Sequence, residues 1–412
     1  MSEKVIVIGG GPAGLSAAIA ASRAGDAVVL LEHTERVGKK ILMTGNGKCN
    51  YTNLKLDASC YHAPEDGFVM QAIRAFGPED TVAFFKELGI EPLERHGGYL
   101  YPHSEQAASV LNALRAECER TGVRIVTACT VKAIRRNKGR GFRVMTDLEL
   151  FQADRVILAT GSKAYPNTGS DGSGFALSEA LGHRTVKVLP ALCGLCCAEK
   201  EFFRTAQGVR VTGRVTVKLE DTPAASAEGE IQIAPYGFSG IPVFQVSRYA
   251  SRALSVGRHT SLEIDFLPDF PDTKAYLSAR AAGYPYGNLE AFGNGLMNKN
   301  LWNSILKRAA LKPGASPAGL SDGEMEVLAS ELRSASFRVI RTNGYDQSQT
   351  CTGGVSLEEI FPANMESKLV HGLHFAGEMM DVDGICGGYN LQWAFTSGIL
   401  AGRNGREASG RL

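Results

Sequence analysis

The 412-residue chain reads as an α/β protein whose parallel-sheet domain is assembled from both ends of the sequence, with a β-rich subdomain and a small helical subdomain inserted between. Three observations predict this. Val5-Ile6-Val7-Ile8 is a continuous β-branched run that leads straight into glycines and then an Ala-rich stretch, as expected of a strand buried on both faces and followed by a helix. Two further strand-like runs, Asp154 to Gly161 and Leu373 to Glu378, end in small residues far along the chain. The middle changes character, from short alternating runs to helical spacing. The expected boundaries are 1–190 with 342–412 for the discontinuous domain, 191–267 for the β-rich insertion and 268–341 for the helical part.

The N-terminal elements follow in order. Gly9-Gly10-Gly11-Pro12-Ala13-Gly14 supplies a G-x-G-x-x-G directly after the first strand, and Gly25 sits where a helix ends in a left-handed residue. A second strand, Ala27 to Leu31, ends at Glu32. Gly9 permits the tight turn, Gly11 lets a pyrophosphate approach the backbone, and Gly14 lets helix and strand pack closely, with Pro12 and Ala13 opening the helix. The helix N-terminus offers free amides and partial positive charge to the phosphates. Glu32 accepts both ribose hydroxyls, and its charge disfavours a 2′-phosphate. Strand, glycines, helix, second strand and terminal acid in this order are the signature of a Rossmann-like dinucleotide site.

The residues beyond Glu32 favour a flavin dinucleotide over a nicotinamide one. Val37-Gly38-Lys39-Lys40 leads to Thr44-Gly45-Asn46-Gly47-Lys48-Cys49-Asn50, where small residues let peptide planes lie against a flat ring. Thr44, Asn46 and Asn50 supply hydrogen bonds, and Lys39 or Lys40 offsets phosphate charge or faces the flavin pyrimidine. Thr160-Gly161 closes the strand that should pass near the cofactor, and Glu378 after Gly377 suits ribityl hydroxyls. Gly387-Gly388-Tyr389-Asn390-Leu391 opens an apolar helical run whose first amides would stabilise negative charge on the ring. His33 and Val131 complete the expected FAD-binding set.

In the insertion, Arg214 to Leu219 and Glu230 to Ile233 alternate as strands, and Thr222 to Gly229 reads as a small polar turn or loop. Asp272 is a helix N-cap and Gly283 a stop. Ser321 with Glu324 forms a capping box ahead of Met325, Leu328 and Leu332, an apolar helix face. Gly169, Gly172 and Gly174 have the wrong spacing and no preceding strand for a second dinucleotide site, and read as a turn.

Composition narrows the function. Glycine accounts for 47 residues, a share of about 11% against a usual ~7%, with no collagen period. A net charge of +1 gives no global attraction to nucleic acid or anionic lipid. The most apolar stretch, Val186 to Ala198, is broken by Lys187 and Pro190 and falls short of a membrane span. Met1-Ser2-Glu3-Lys4 enters a strand at once, and nine scattered cysteines read as reduced thiols. A cytoplasmic chain with a small-molecule substrate is expected, and oligomeric state has no sequence signal.

Gly9 to Gly14, the loop from Gly38 to Asn50, and Asp381-Val382-Asp383-Gly384 through Gly387-Gly388-Tyr389-Asn390-Leu391-Gln392 together resemble the flavoprotein family that includes aminoacetone-oxidase-like proteins and 3-dehydro-bile acid Δ4,6-reductases. The resemblance extends over nearly the whole chain, including Tyr236-Gly237-Phe238-Ser239-Gly240, although Ala234-Pro235 stand where members carry Thr and an acid or His. It implies a discontinuous FAD domain and the inserted β and helical parts. It also implies reduction of an activated C=C by hydride transfer from flavin N5, the substrate an enone such as a 3-oxo-Δ4 steroid or 3-dehydro-bile acid, with NADH or NADPH as transient donor. Competing readings are an amine oxidase returning electrons to O2 and a non-catalytic flavin-based redox sensor or interaction module.

For the proton donor, Tyr389 is the leading candidate because it adjoins the glycines expected at the ring. Tyr236, His62, His96 and His103 are alternatives. Cys49 lacks a partner cysteine at disulfide-reductase spacing and reads as packing against the cofactor loop. Cys193-Gly194-Leu195-Cys196 lacks the second pair a zinc site needs, so no metal is expected.

Overall fold

In a computed structural model, residues 2–65, 67–284 and 287–404 are described. The chain divides into two compact units, Met1–Val188 with Thr350–Leu412, and Leu189–Gln349.

The first unit is organised by a five-stranded sheet in the order Leu373–Phe375, Arg155–Leu158, Lys4–Ile8, Ala27–Leu31, Arg124–Val126. Every neighbouring pair is parallel, with Ile6 opposite both Val156 and Val29. Parallel strands need crossovers and bury both faces, which is why Val5 to Ile8 carries no polar residue. The first crossover is the helix Pro12–Arg23, which opens on a proline at its first turn. Its end is a Schellman closure: Gly25 (φ 90°) donates to the Ser22 carbonyl and Asp26 to that of Ala21.

The long C-terminal helix, Tyr389–Arg403, lies directly on Pro12–Arg23. Two glycines make this possible. A Cβ at Gly398 would stand 2.2 Å from Ser16 Oγ, and one at Gly402 would stand 2.4 Å from the Ala17 carbonyl oxygen. Buried beneath them, Arg155 donates to the Ala401 carbonyl at 2.6 Å and pairs with Asp26 at 2.7 Å. Chain ends thus meet through backbone-to-backbone packing.

The second unit is a closed six-stranded barrel, Leu195–Cys197, Gly237–Ser239, Thr222–Ala234, Arg210–Leu219, Thr260–Asp265, Ala335–Thr342. Two expectations change here. Thr222 to Gly229 is strand, paired along its length with Arg210–Leu219. The turn is only Glu220-Asp221, both with positive φ (48° and 64°), as a two-residue hairpin requires. Small residues hid this segment, because its conformation is imposed by the partner strand. Residues 268–341 also have no core of their own: Leu277, Trp302, Ile305 and Leu332 pack into one cluster with Phe202, Val215 and Phe238. Asp272 does cap Thr273–Ala282, and Ser321 with Glu324 does form the capping box of Asp322–Arg333.

Among the described residues no helix is long and apolar enough to cross a membrane.

Candidate functional site

All residues of the expected cofactor set belong to the first unit, and the structure draws the distant segments together. The glycines show their separate tasks in what a side chain would meet. A Cβ at Gly9 (φ 105°) would lie 2.4 Å from the Ala159 carbonyl oxygen, and one at Gly14 would lie 1.8 Å from that of Gly9. Gly11 differs, because a Cβ there has no atom within 4 Å. The first two make room for protein, whereas Gly11 faces open space at the helix N-terminus, where unpaired amides await an anion.

Glu32 is nearly buried and held from both sides. Its Oε2 accepts from the Gly10 amide at 2.8 Å and its Oε1 from the Thr34 amide at 2.8 Å. One lone pair on each oxygen remains for a diol. The glycine-rich turn after Tyr165 folds back here, so that a Cβ at Gly169 would touch His33 Nε2 at 2.8 Å. Val131 opens a half-buried strand two residues beyond Cys129, whose amide donates to the Glu32 carbonyl.

The loop Thr44 to Cys49 is a chain of left-handed residues: Gly45, Asn46, Gly47 and Cys49 have φ of 55°, 54°, 82° and 60°. Local bonds sustain it, with the Thr44 hydroxyl donating to the Ile41 carbonyl and the Cys49 amide to that of Thr44. Asn46 is exposed, while Cys49 and Asn50 are buried. Burial pushes the Cys49 thiol up to about 12, so it is a packed, protonated group, not a thiolate. Lys39 is half-buried, and Lys40 reaches Glu378 at 2.5 Å.

The C-terminal loop closes the other side. Gly377 (φ 75°) sits so near the first helix that its Cβ would be 2.8 Å from that of Ala13, and its amide donates to Ser397. Beside it, the Thr160 hydroxyl lies 3.8 Å from Met379 Sδ, and Gly161 is left-handed with Ser170 against it. Gly387 and Gly388 (φ 138° and 94°) precede the helix Tyr389–Arg403. Side chains pin this loop: Asn53 donates to the Gly387 carbonyl at 3.0 Å, and Asn390 bonds both the amide and carbonyl of Gly384 at 2.9 Å. Leu391 is half-buried at the start of the helix.

The residues present fit a flavin dinucleotide. Asn50 Oδ1 is buried without a hydrogen-bond partner and lies 2.9 Å from where a Cβ of Gly388 would be. A buried orphan acceptor costs stability unless a ligand donates to it. An imide N–H is a suitable donor, and Gly11 leaves the space a diphosphate needs.

The expectation for the Tyr389 proton is not met. Its hydroxyl donates to the Lys55 carbonyl at 2.8 Å, its carbonyl accepts from Tyr61, and burial raises its pKa further. Its single proton is committed to the backbone, which makes it a strut of the glycine loop. His96 and His103 are exposed. In the second unit, Tyr236 packs on Gly194, and the three cysteines from Cys193 to Cys197 are buried. No three His, Cys, Asp or Glu side chains among the described residues are grouped to hold a metal.

Residues 3–404 match the model of the HI0933-like protein Rossmann domain. The chain is 42% identical to the 3-dehydro-bile acid delta(4,6)-reductase of Clostridium scindens, over 98% of this chain and 99% of that one. It is 28% identical to the ribosomal RNA dihydrouridine synthase of Haemophilus influenzae, over 95% and 96%. Among solved structures, the 3-ketosteroid-delta4-(5alpha)-dehydrogenase of Rhodococcus jostii RHA1 superposes with a TM-score of 0.46 at 17% identity, covering 100% of this chain and 97% of that one. The chain belongs to the HI0933-like Rossmann-domain family and is an FAD-dependent oxidoreductase.

Proposed function

We propose that the protein reduces a carbon–carbon double bond conjugated to a carbonyl, in an enone of the 3-oxo-Δ4 steroid or 3-dehydro-bile acid class, with NADH or NADPH as electron donor. The observation that carries this reading is 42% identity, over essentially both full lengths, to a relative named as a delta(4,6)-reductase of a 3-dehydro-bile acid. The 28%-identical relatives, named as dihydrouridine synthases, fit the same chemistry, because the uracil double bond that becomes saturated is also conjugated to a carbonyl.

Bound FAD, once reduced, supplies the hydride and carries the redox chemistry. The chain supplies position and field. Gly11 and the amides of Pro12–Arg23 would hold the diphosphate, Glu32 the adenosine ribose, and Glu378, tied to Lys40, the ribityl chain. Asn50 would accept from the ring, and the first amides of Tyr389–Arg403 would face the edge on which negative charge grows. Thr44, Gly45, Gly47, Gly377, Gly388, Asn390 and Leu391 give these groups their places.

The test is an anaerobic spectrum. Yellow holoprotein should bleach with NADH or NADPH and regain its colour on adding a 3-oxo-Δ4 steroid. Recovery with only an amine-oxidase cycle and O2, or only with an unmodified ribosomal RNA fragment, would contradict the reading.

A further inference from the structure

The strand Tyr99–Pro102 alternates: Leu100 and Pro102 are buried, Tyr99 and Tyr101 half-buried. Side chains two apart leave a strand on the same side, so two phenols share one face. The strand is fixed between Thr52–Asn53 and Pro92–Arg95.

Each phenol leans on one of the two glycine loops of the cofactor site. A ring carbon of Tyr101 lies 3.3 Å from the Cβ position of Gly45, and one of Tyr99 lies 3.2 Å from that of Gly387. Asn50 and Gly388, the orphan acceptor and the helix start, adjoin those same loops. The pair thus spans the two walls between which the ring is expected.

Their hydroxyls stand apart from those of neighbouring tyrosines. Tyr61 and Tyr389 spend their protons on backbone carbonyls, at 2.9 and 2.8 Å. Among the described residues, neither the Tyr99 nor the Tyr101 hydroxyl has a hydrogen-bond partner, and neither is sealed from solvent. Burial raises both phenols above their ordinary range, reinforced for Tyr99 by the Cys386 thiol. Both therefore remain protonated donors at neutral pH.

We propose that Tyr99 and Tyr101 are the hydrogen-bond donor pair that receives the carbonyl oxygen of the substrate. This rests on the reading of the chain as a reductase of conjugated ketones. In that reaction the β-carbon would take a hydride, the double-bond electron pair would shift, and negative charge would gather on the carbonyl oxygen. A proton from water then completes the α-carbon, so that the flavin is oxidised by two electrons as the C=C is reduced. Donors placed on that oxygen bind the developing charge more tightly than the neutral ketone, which is what accelerates a step. The rings also offer flat apolar edges to a hydrocarbon skeleton.

The test uses FAD-loaded protein reduced anaerobically with dithionite, then mixed with 4-androstene-3,17-dione while flavin colour is followed. Tyr99→Phe and Tyr101→Phe should each slow reoxidation by about a hundredfold to a thousandfold, the range seen for single oxyanion donors. The FAD dissociation constant and melting temperature should stay at their wild-type values. Binding of the steroid to the oxidised protein should weaken less than the rate falls. Phe variants reoxidised as fast as wild type would overturn the donor pair and leave the reductase reading intact. Variants that lose FAD would overturn it in favour of a cofactor role. Wild-type protein that no conjugated ketone reoxidises would overturn both.

Discussion

Replacing Gly11 with valine should remove the cofactor while leaving the fold in place. Gly11 caps the first helix with φ −77° and ψ −174°, a conformation any residue adopts. A Cβ there meets nothing within 4 Å, so the apo-protein loses at most about 1 kcal/mol, the scale of a changed helix cap. The added methyls occupy the space in front of the free helix amides. If two amide-to-phosphate bonds are lost at about 1.5–3 kcal/mol each, the cost of about 3–6 kcal/mol corresponds to roughly two to four decades in Kd. Titration of apo-protein with FAD, followed by flavin fluorescence, measures this, and thermal melting of the apo-protein provides the control. Gly14→Val is the contrasting variant: its Cβ would start 1.8 Å from the Gly9 carbonyl oxygen, so the apo-protein itself should be crippled. An unchanged FAD affinity in Gly11→Val, or collapse of its apo-form, would refute the reasoning.

Glu32→Ala should weaken FAD binding by roughly tenfold to a hundredfold and also lower the melting temperature of the apo-protein, because the Gly10 and Thr34 amides lose their acceptor. Titration and melting read the two effects separately. Asn53→Ala should free the Gly387 carbonyl and weaken FAD binding several-fold, measured by the same titration, with the parallel sheet unaffected by circular dichroism. Burial, with the Arg155 charge adding, pushes His374 down to about 4. The unfolded chain takes up a proton near pH 6.5 that the folded chain refuses. Stability should therefore be full above pH 6.5 and fall as the pH drops toward 4. Urea unfolding at several pH values should show this slope in the wild type and a shallower one in His374→Gln.

The nucleotide-binding half of the fold was readable because each of its signals is local. Val5 to Gly14, Gly25 and Glu32 follow one another in a single strand–helix–strand stretch, and the Ser321–Glu324 box is closed within four residues. What stayed hidden depends on partners far along the chain. Thr222 to Gly229 has no β-branched residue beyond Thr222 and becomes strand only because Arg210–Leu219 offers a full ladder. Gly398 and Gly402 look like weak points in a helix until Ser16 and Ala17 are seen against them. Tyr389 adjoins the glycine loop in the sequence, but which carbonyl takes its proton follows from the path of Lys55, which no spacing rule gives. Asn53 and the Tyr99–Tyr101 face were missed for the same reason. The one available signal was strict alternation in Tyr99-Leu100-Tyr101-Pro102, with aromatic residues on the solvent side.

Hydrogen exchange of the apo-protein with and without FAD tests most directly whether two remote segments close on one cofactor. FAD should slow exchange together at Gly9 to Gly14, Thr44 to Asn50, and Gly377 through Leu391. Protection confined to the N-terminal glycines would contradict the account.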